Sequence, residues 1–140
     1  MSAYPITVIW EEDAWIVRCP DFPELLTDGD TETEAAANAV GALVALVSHY
    51  MDQRRDIPAP SPAEGRPTVT MPLQCALKAA IYTEMRRQSL TRTALAERIG
   101  CAETQVRRLL DPCHASRLDQ IDAALKALGK AADIALREAA

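Results

Sequence analysis

No apolar run in these 140 residues approaches the ~18 that a membrane-spanning helix requires, so no membrane span is expected. The opening stretch MSAYPITVIWEED has no basic segment followed by an apolar core, and it does not read as a secretory signal. A cytoplasmic protein is therefore expected. The cysteines stand at Cys19, Cys75, Cys101 and Cys113, and no two of them have CxxC spacing. His114 follows Cys113, but the other histidine, His49, is distant in sequence. A zinc site needs several convergent ligands, so the expectation is reduced thiols and no metal. There is no Gly-rich phosphate loop, and no cofactor is expected. Ser48-His49 and Cys113-His114 are neighbours without an arranged third member, which leaves nucleophilic catalysis little support. Internal repeats are also missing. What remains is ordinary for a water-soluble globular chain: 49% hydrophobic and 25% charged residues, enough for one domain or two small ones.

The charge is not evenly spread. Residues 1–56 hold three basic residues (Arg18, Arg54, Arg55) against eleven acids, a net of −8. Residues 73–140 hold eleven bases against eight acids, a net of +3. Such asymmetry points to two different partners: a basic protein for the acidic half and a phosphate backbone for the basic half. The plainer alternative for the acidic half is solubility alone.

Residues 4–10, YPITVIW, alternate with Ile6, Val8 and Trp10 on one face, and residues 14–19, AWIVRC, place Trp15, Val17 and Cys19 together. Period two with β-branched and aromatic residues means strands. Glu11, Glu12 and Asp13 form the turn between them, of open type because the Asn-Gly signature is missing. Pro20 and Pro23 should break the next strand, since proline lacks a ladder donor. Leu25 to Thr27 then reads as a third strand, and Asp28-Gly29-Asp30 as a turn. A long helix follows, with Thr31 as cap and Glu34 completing a capping box. Its apolar stripe reads Ala36, Val40, Leu43, Val47, Tyr50 and Met51. Residues 58–66 are rich in proline, the composition of a stiff connection. Thr68 to Met71 can form a fourth strand. The domain division is placed at 1–66 and 67–140.

The basic half opens with a helix from Leu73 to Gln88, with Leu73, Leu77, Ile81 and Met85 facing inward. Thr91 to Leu110, TRTALAERIGCAETQVRRLL, reads as two short helices around a tight turn. Leu95, Ala96 and Ile99 share one face of the first, and Gly100 can stop it in the left-handed conformation. Val106, Leu109 and Leu110 point inward from the second, leaving Glu103, Thr104, Gln105, Arg107 and Arg108 outward. Such a face suits the DNA major groove, where Gln can bond adenine and Arg can bond guanine or phosphate. Thr104, Gln105 and Arg108 are the candidates for base edges, and Arg92, Thr93, Arg107 and Arg117 for phosphate. A solvated helical hairpin is the bland reading of the same face. Asp111-Pro112 stops the second helix. Ser116 is the cap candidate for a last helix with Leu118, Ile121, Leu125 and Leu128 inside, ended by Gly129. The tail KAADIALREAA is open: Ile134 and Leu136 alternate as in a strand, while alanine favours helix.

The N-terminal half resembles the HicB antitoxin family. The residues that carry the likeness are Tyr4 to Trp10, Pro20-Asp21-Phe22-Pro23-Glu24-Leu25, Thr27 to Thr31, Glu34-Ala35, Asn38-Ala39 and Ile57 to Ser61. The C-terminal half is similar to the lambda-repressor-type helix-turn-helix carried by one branch of that family, through Pro72, Lys78, Tyr82, Leu95-Ala96, Gly100, Gln105 to Pro112 and Leu128-Gly129-Lys130. The resemblance implies an α+β chain: a truncated ribonuclease-H-like β-β-β-α-β domain joined to an all-α helix-turn-helix domain. It implies binding and neutralisation of HicA, a small basic toxin that cleaves messenger RNA. It also implies repression of the chain's own operon by operator binding, as a homodimer or larger homo-oligomer. Trp10, Asp21, Phe22, Glu24, Asp28 and Asp30 are the toxin-binding candidates, with Trp15 weighed and read as core; the aromatic ones count only if exposed. Two departures weaken residue-level carry-over. Arg92 stands where many such domains hold a glutamine that contacts phosphate, and Ala102 stands where a Ser or Thr cap is usual, a loss of about 0.5–2 kcal/mol.

Other readings stay open. One is a stand-alone DNA-binding regulator without a toxin. Another is a metal-dependent nuclease, which needs carboxylates converging on divalent ions. Tyr4 to Trp10 contains no acid, and Asp28, Asp30, Glu32 and Glu34 cluster where a turn and a helix N-terminus already explain them. No enzymatic activity is expected.

Overall fold

The computed structural model describes residues 2–138. Its architecture is α+β: strands β1 (Ala3–Pro5), β2 (Thr7–Glu11), β3 (Ala14–Cys19) and β4 (Phe22–Gly29), helix α1 (Glu32–Asp52), strand β5 (Thr68–Thr70), then helices α2 (Leu73–Arg87), α3 (Arg92–Ile99), α4 (Glu103–Leu109) and α5 (Leu118–Ala127). The chain divides into two compact units, one ending at Pro72 and one beginning at Leu73. The division therefore falls after Pro72 and not after Arg66. The reason is strand pairing: β5 is antiparallel to β1, with Val69 opposite Tyr4.

In the first unit, β2, β3 and β4 form an antiparallel sheet and β1 pairs with β5 separately. What reads in sequence as one strand over 4–10 is thus two. Pro5 has no amide donor, and the next amide, of Ile6, donates to Pro67 O at 2.9 Å, so the chain changes partners there. Ile6 is buried at the junction. In the β2–β3 hairpin Glu11 pairs with Ala14, and both loop residues have positive φ, Glu12 at 48° and Asp13 at 63°. That is the two-residue type I′ turn, whose twist matches the flanking strands. Strand β4 runs longer than Leu25 to Thr27 and includes Pro23. It tolerates proline because it lies at the sheet edge, and the break falls instead at a bulge at Arg18/Cys19.

Helix α1 starts as the sequence indicates. Thr31 Oγ1 accepts from the Glu34 amide at 3.0 Å, and Glu34 Oε2 reaches back to the Asp30 amide at 3.1 Å. Its buried stripe is Ala35, Ala39, Leu43, Val47, Tyr50 and Met51. Ala36 is exposed and Val40 only half-buried, so the first two positions of the expected stripe are corrected by one residue. Gly29 sets this phase. A Cβ there would lie 2.4 Å from Ala35 N and 2.8 Å from Ala35 Cα, so the helix start sits directly on the strand end. Phe22 is the centre of the core, with Tyr4 edge-on at 5.0 Å and Tyr50 at 5.3 Å between centroids. Burying such a side chain is worth about 1.5–3 kcal/mol.

The proline-rich stretch does not bridge the two units. It crosses the first unit and returns as β5. Tyr4 Oη donates to Pro58 O at 2.7 Å, Ser61 N donates to Asp21 Oδ2 at 2.9 Å, and Arg66 Nη2 donates to Pro62 O at 2.8 Å. A stiff segment needs few such ties to stay in place.

The second unit is all helix. In α2 the buried face is Cys75, Lys78, Ala79, Ile81, Tyr82 and Met85. Leu73 is 70% exposed and Leu77 half-buried, so the inner face is rotated from the expected one. Thr91 caps α3 by accepting from the Ala94 amide at 3.1 Å, and Gly100 ends it at φ 83°. Helix α5 is not capped by Ser116. Its N-cap is Arg117, without a side-chain cap bond, because Ser116 is buried and bonded elsewhere. The inner face of α5 is Ile121, Ala124 and Leu125, with Leu128 beyond its end, while Leu118 is exposed. Gly129 at φ 72° follows the helix end. The tail from Lys130 to Glu138 is neither helix nor strand.

Candidate nucleic-acid and partner interfaces

Helices α3 and α4 pack through Leu95, Ala96, Val106 and Leu109, all buried. The helical spacing of Val106 and Leu109 leaves the opposite face of α4 in solvent. Glu103, Thr104, Arg107 and Arg108 are exposed there, and Gln105 is half-buried. Arg92 and Thr93, in the first turn of α3, are also exposed. Thr93 Oγ1 donates to Glu103 Oε2 at 3.3 Å, which ties the starts of the two helices together. Ala102 has extended backbone at the N-cap of α4 and supplies no side-chain bond. No side chain caps the first turn of α4, where the Gln105 amide donates to Ala102 O at 3.0 Å. Arg117 is exposed and paired with Asp119 at 3.2 Å; it sits before α5, not on α4.

Lys78 organises the far end of α4, a role the sequence reading did not assign. Its ammonium is buried and donates to Arg108 O at 2.9 Å, Asp111 O at 2.8 Å, His114 O at 2.6 Å and Ser116 Oγ at 2.8 Å. The carbonyl of Arg108 belongs to the last turn of α4, where orphan acceptors and the negative end of the helix dipole collect. Ser116 N in turn donates to Gln74 Oε1 at 2.6 Å. Burial holds the Lys78 amine below its ordinary range, and nearby Asp111 opposes that shift. Helix α2 therefore fixes the exit of α4 and the loop to α5 through one side chain. The signal in sequence was a lysine on the same helical face as Cys75, Ile81 and Met85. Beside it, burial first of all pushes the Cys75 thiol up to about 11, so this is an inert thiol.

The toxin-binding candidates of the first unit separate into surface and interior. Trp10 is 52% exposed and stacks edge-on against its cross-strand partner Trp15 at 5.5 Å. Trp15 is half-buried. Phe22 is completely buried and is no surface candidate. Its alternation partner in the strand is the edge proline, so the ring turns into the core. Asp21 is engaged by Ser61, whose amide and hydroxyl both donate to it. Glu24 accepts from the Tyr50 hydroxyl and from Arg55 Nη2 at 3.2 Å, and Arg55 lies over the Tyr50 ring at 3.9 Å. The hydrogen bond from Tyr50 is the main reason the Glu24 carboxyl sits below its ordinary range. Both carboxylates thus serve the fold. Asp28 and Asp30 are exposed.

The open face of the sheet adds residues that sequence reasoning passed over. Ile9 pairs with Ile16, which pairs on its other side with Asp28, while Leu26 pairs with Arg18. Ile9 and Leu26 are exposed. Apolar residues at positions where an open antiparallel face is normally polar were the signal available. Among the described residues no group of three or more His, Cys, Asp and Glu could hold a metal ion, and no helix is long and apolar enough to cross a membrane.

Comparison with known proteins gives these features a setting. Residues 3–80 match the family described as HicB_like antitoxin of bacterial toxin-antitoxin system. Antitoxin HicB 2 of Photorhabdus laumondii subsp. laumondii is 37% identical over 127 residues, which cover 91% of this chain and 91% of that protein. Antitoxin HicB of Escherichia coli K12 is 34% identical over 129 residues, covering 91% and 94% of the two chains. Antitoxin HicB of Pseudomonas fluorescens Pf0-1 is 30% identical over 132 residues, covering 93% and 90%. The similarity extends through both units, well past the end of the family match. With a match across more than half its length and relatives alike over nine-tenths of it, this chain belongs to the HicB-like antitoxin family.

Proposed function

We propose that the first unit binds and neutralises a HicA-type, messenger-RNA-cleaving toxin, and that the second unit represses the chain's own operon by binding operator DNA. On this reading α3 and α4 are a helix-turn-helix and α4 enters the major groove. The observation that carries it is the join of an antitoxin-family domain to a helix pair whose outward face is Thr104, Arg107 and Arg108, rigidly held by Lys78. Thr104, Gln105 and Arg108 read base edges; Arg92, Thr93 and Arg107 meet phosphates. Arg117 is a peripheral phosphate contact. One such domain makes few contacts, so the DNA-binding form is a homodimer on two half-sites about one helical turn apart.

On the first unit, Ile9, Leu26 and Asp28 share one sheet face by strand alternation, Trp10 is exposed on the opposite face beside Trp15, and Asp30 lies just beyond the end of β4. The acidic charge of residues 1–56 speeds encounter with a basic toxin, and the apolar residues slow dissociation. The protein works in the cytoplasm, where its toxin and its operon are. It needs no cofactor.

Gel shifts on DNA upstream of the operon test the second unit's role. Arg108→Ala is expected to weaken operator binding at least tenfold and to relax base preference at one position per half-site, about 1–3 kcal/mol for a lost bidentate pair. Unchanged affinity and preference removes Arg108 from the contact set. Binding of equal strength to any DNA contradicts the operator reading.

A further inference from the structure

Glu103 is the one acidic residue of α4, and operator binding as described above leaves it without a task. It is the first residue of the helix and is exposed. A carboxylate on a surface that meets phosphates is repelled by them, so its presence there needs a compensating use. Its Oε2 accepts from Thr93 Oγ1 on α3 at 3.3 Å. It is not paired with Arg107, the residue one turn along its own helix that has the spacing for an ion pair. One carboxylate oxygen is thus tied to the neighbouring helix, and Oε1 has no hydrogen-bond partner among the described residues.

The N-terminal residues of a recognition helix meet base edges. An ionised carboxylate there can accept hydrogen bonds and cannot donate them. Guanine presents the N7 and O6 acceptors in the major groove, and thymine presents O4, so both oppose a carboxylate. Adenine sets its N7 acceptor beside its N6 donor. Cytosine presents the N4 amino donor alone. We propose that Glu103 reads a cytosine in each operator half-site, accepting through Oε1 from the N4 amino group, and that Thr93 is its positioning residue. This rests on the operator reading and adds to it a base identity that Thr104, Gln105 and Arg108 do not supply. The Thr93 hydroxyl proton is committed to Glu103, so Thr93 meets phosphate through its amide, in the first turn of α3, where helix amides lack an intrahelical partner. The same carboxylate holds off phosphates. It lowers affinity for DNA of any sequence while widening the difference between sequences, and that difference is what specificity consists of.

The test is gel shifts of the full chain on the upstream DNA, with each base pair of the half-sites changed in turn to the other three. The parent is expected to favour C·G by about fivefold or more at one position per half-site. Glu103→Ala is expected to accept all four pairs at that position within about twofold and to keep the parent's preferences elsewhere. Glu103→Gln is expected to move the preference to A·T, because its amide can accept from N6 and donate to N7. Thr93→Val keeps the backbone amide and the shape of the side chain; it is expected to lose part of the cytosine preference, and Thr93→Ser to restore it. Random-sequence DNA should bind Glu103→Ala at least as tightly as it binds the parent. A parent with sequence preferences that Glu103→Ala leaves unchanged at every position overturns the inference and leaves the operator reading standing. So does a loss of preference spread evenly over all positions, or weaker binding of Glu103→Ala to random DNA, since either marks a structural role. Full cytosine preference in Thr93→Val overturns the positioning role. A parent with no sequence preference overturns the operator reading and this inference together.

Discussion

Replacing Lys78 with methionine keeps the length of the side chain and removes the three N–H donors that its four acceptors share. Bonds from a charged donor contribute about 1.5–3 kcal/mol each. Two opposing effects reduce the total. Methionine has no buried charge to desolvate, and the carbonyls of Arg108, Asp111 and His114, on exposed residues, can regain water. The buried Ser116 hydroxyl has less access. A net loss of about 3 kcal/mol follows for the second unit, a large share of the ~5 kcal/mol a small domain holds. With an m-value of about 1 kcal/mol/M, the urea midpoint falls by about 3 M. The two units can be followed apart in the full chain. Both tryptophans, Trp10 and Trp15, lie in the first unit, so their fluorescence reports that unit and should not shift. Far-ultraviolet circular dichroism should show the helical transition of the second unit moving to lower urea. A midpoint within about 0.5 M of the parent, which at such an m-value is about 0.5 kcal/mol, would refute the claim that this side chain holds the exit of α4.

Two further outcomes follow from the first unit. Gly29→Ala places a methyl 2.4 Å from Ala35 N, against backbone that cannot yield; a cost of about 2–3 kcal/mol lowers the melting temperature by about 10 °C or more, read by tryptophan fluorescence, and an unchanged melt would mean that α1 is not seated on the strand end. The Glu24 carboxyl is held below its ordinary range first by the Tyr50 hydroxyl, so its contribution is present above the unfolded carboxylate range and is lost as pH falls through the lower folded value. Tyr50→Phe should therefore be less stable at neutral pH and flatter in its acid-side stability profile, the two proteins converging in acid; parallel profiles would refute the linkage.

What the sequence disclosed well was local and periodic. Thr31 with Glu34, Thr91, Gly100 and Gly129 all mark helix ends by their own chemistry, and the structure uses each as read. The buried set of α4 came directly from helical spacing. The misplacements arose where a distant partner decided. Ala36 and Val40 lost the inner face of α1 to Ala35 and Ala39 because Gly29 admits the helix at one phase only. Leu73 and Leu77 lost the face of α2 because a buried lysine serves carbonyls that no local pattern announces. Ser116 resembled a cap, but Lys78 and Gln74 claim it. Proline at 58, 60 and 62 looked like a linker, since composition reports stiffness and not destination. For the candidate sites, exposure on α4 was legible from period alone. On the acidic unit, the bonds of Asp21 and Glu24 within the fold were not legible, because their partners, Ser61, Tyr50 and Arg55, are tens of residues away.

The central claim is antitoxin action with a separable operator function. Co-expression with the product of a flanking short reading frame, scored by growth and by co-purification, tests it most directly. The account predicts that the full chain restores growth and holds the toxin in a stable complex, and that Arg108→Ala does both equally well while its operon is derepressed. Continued growth arrest with the antitoxin in excess, or failure of the two proteins to co-purify, would contradict it.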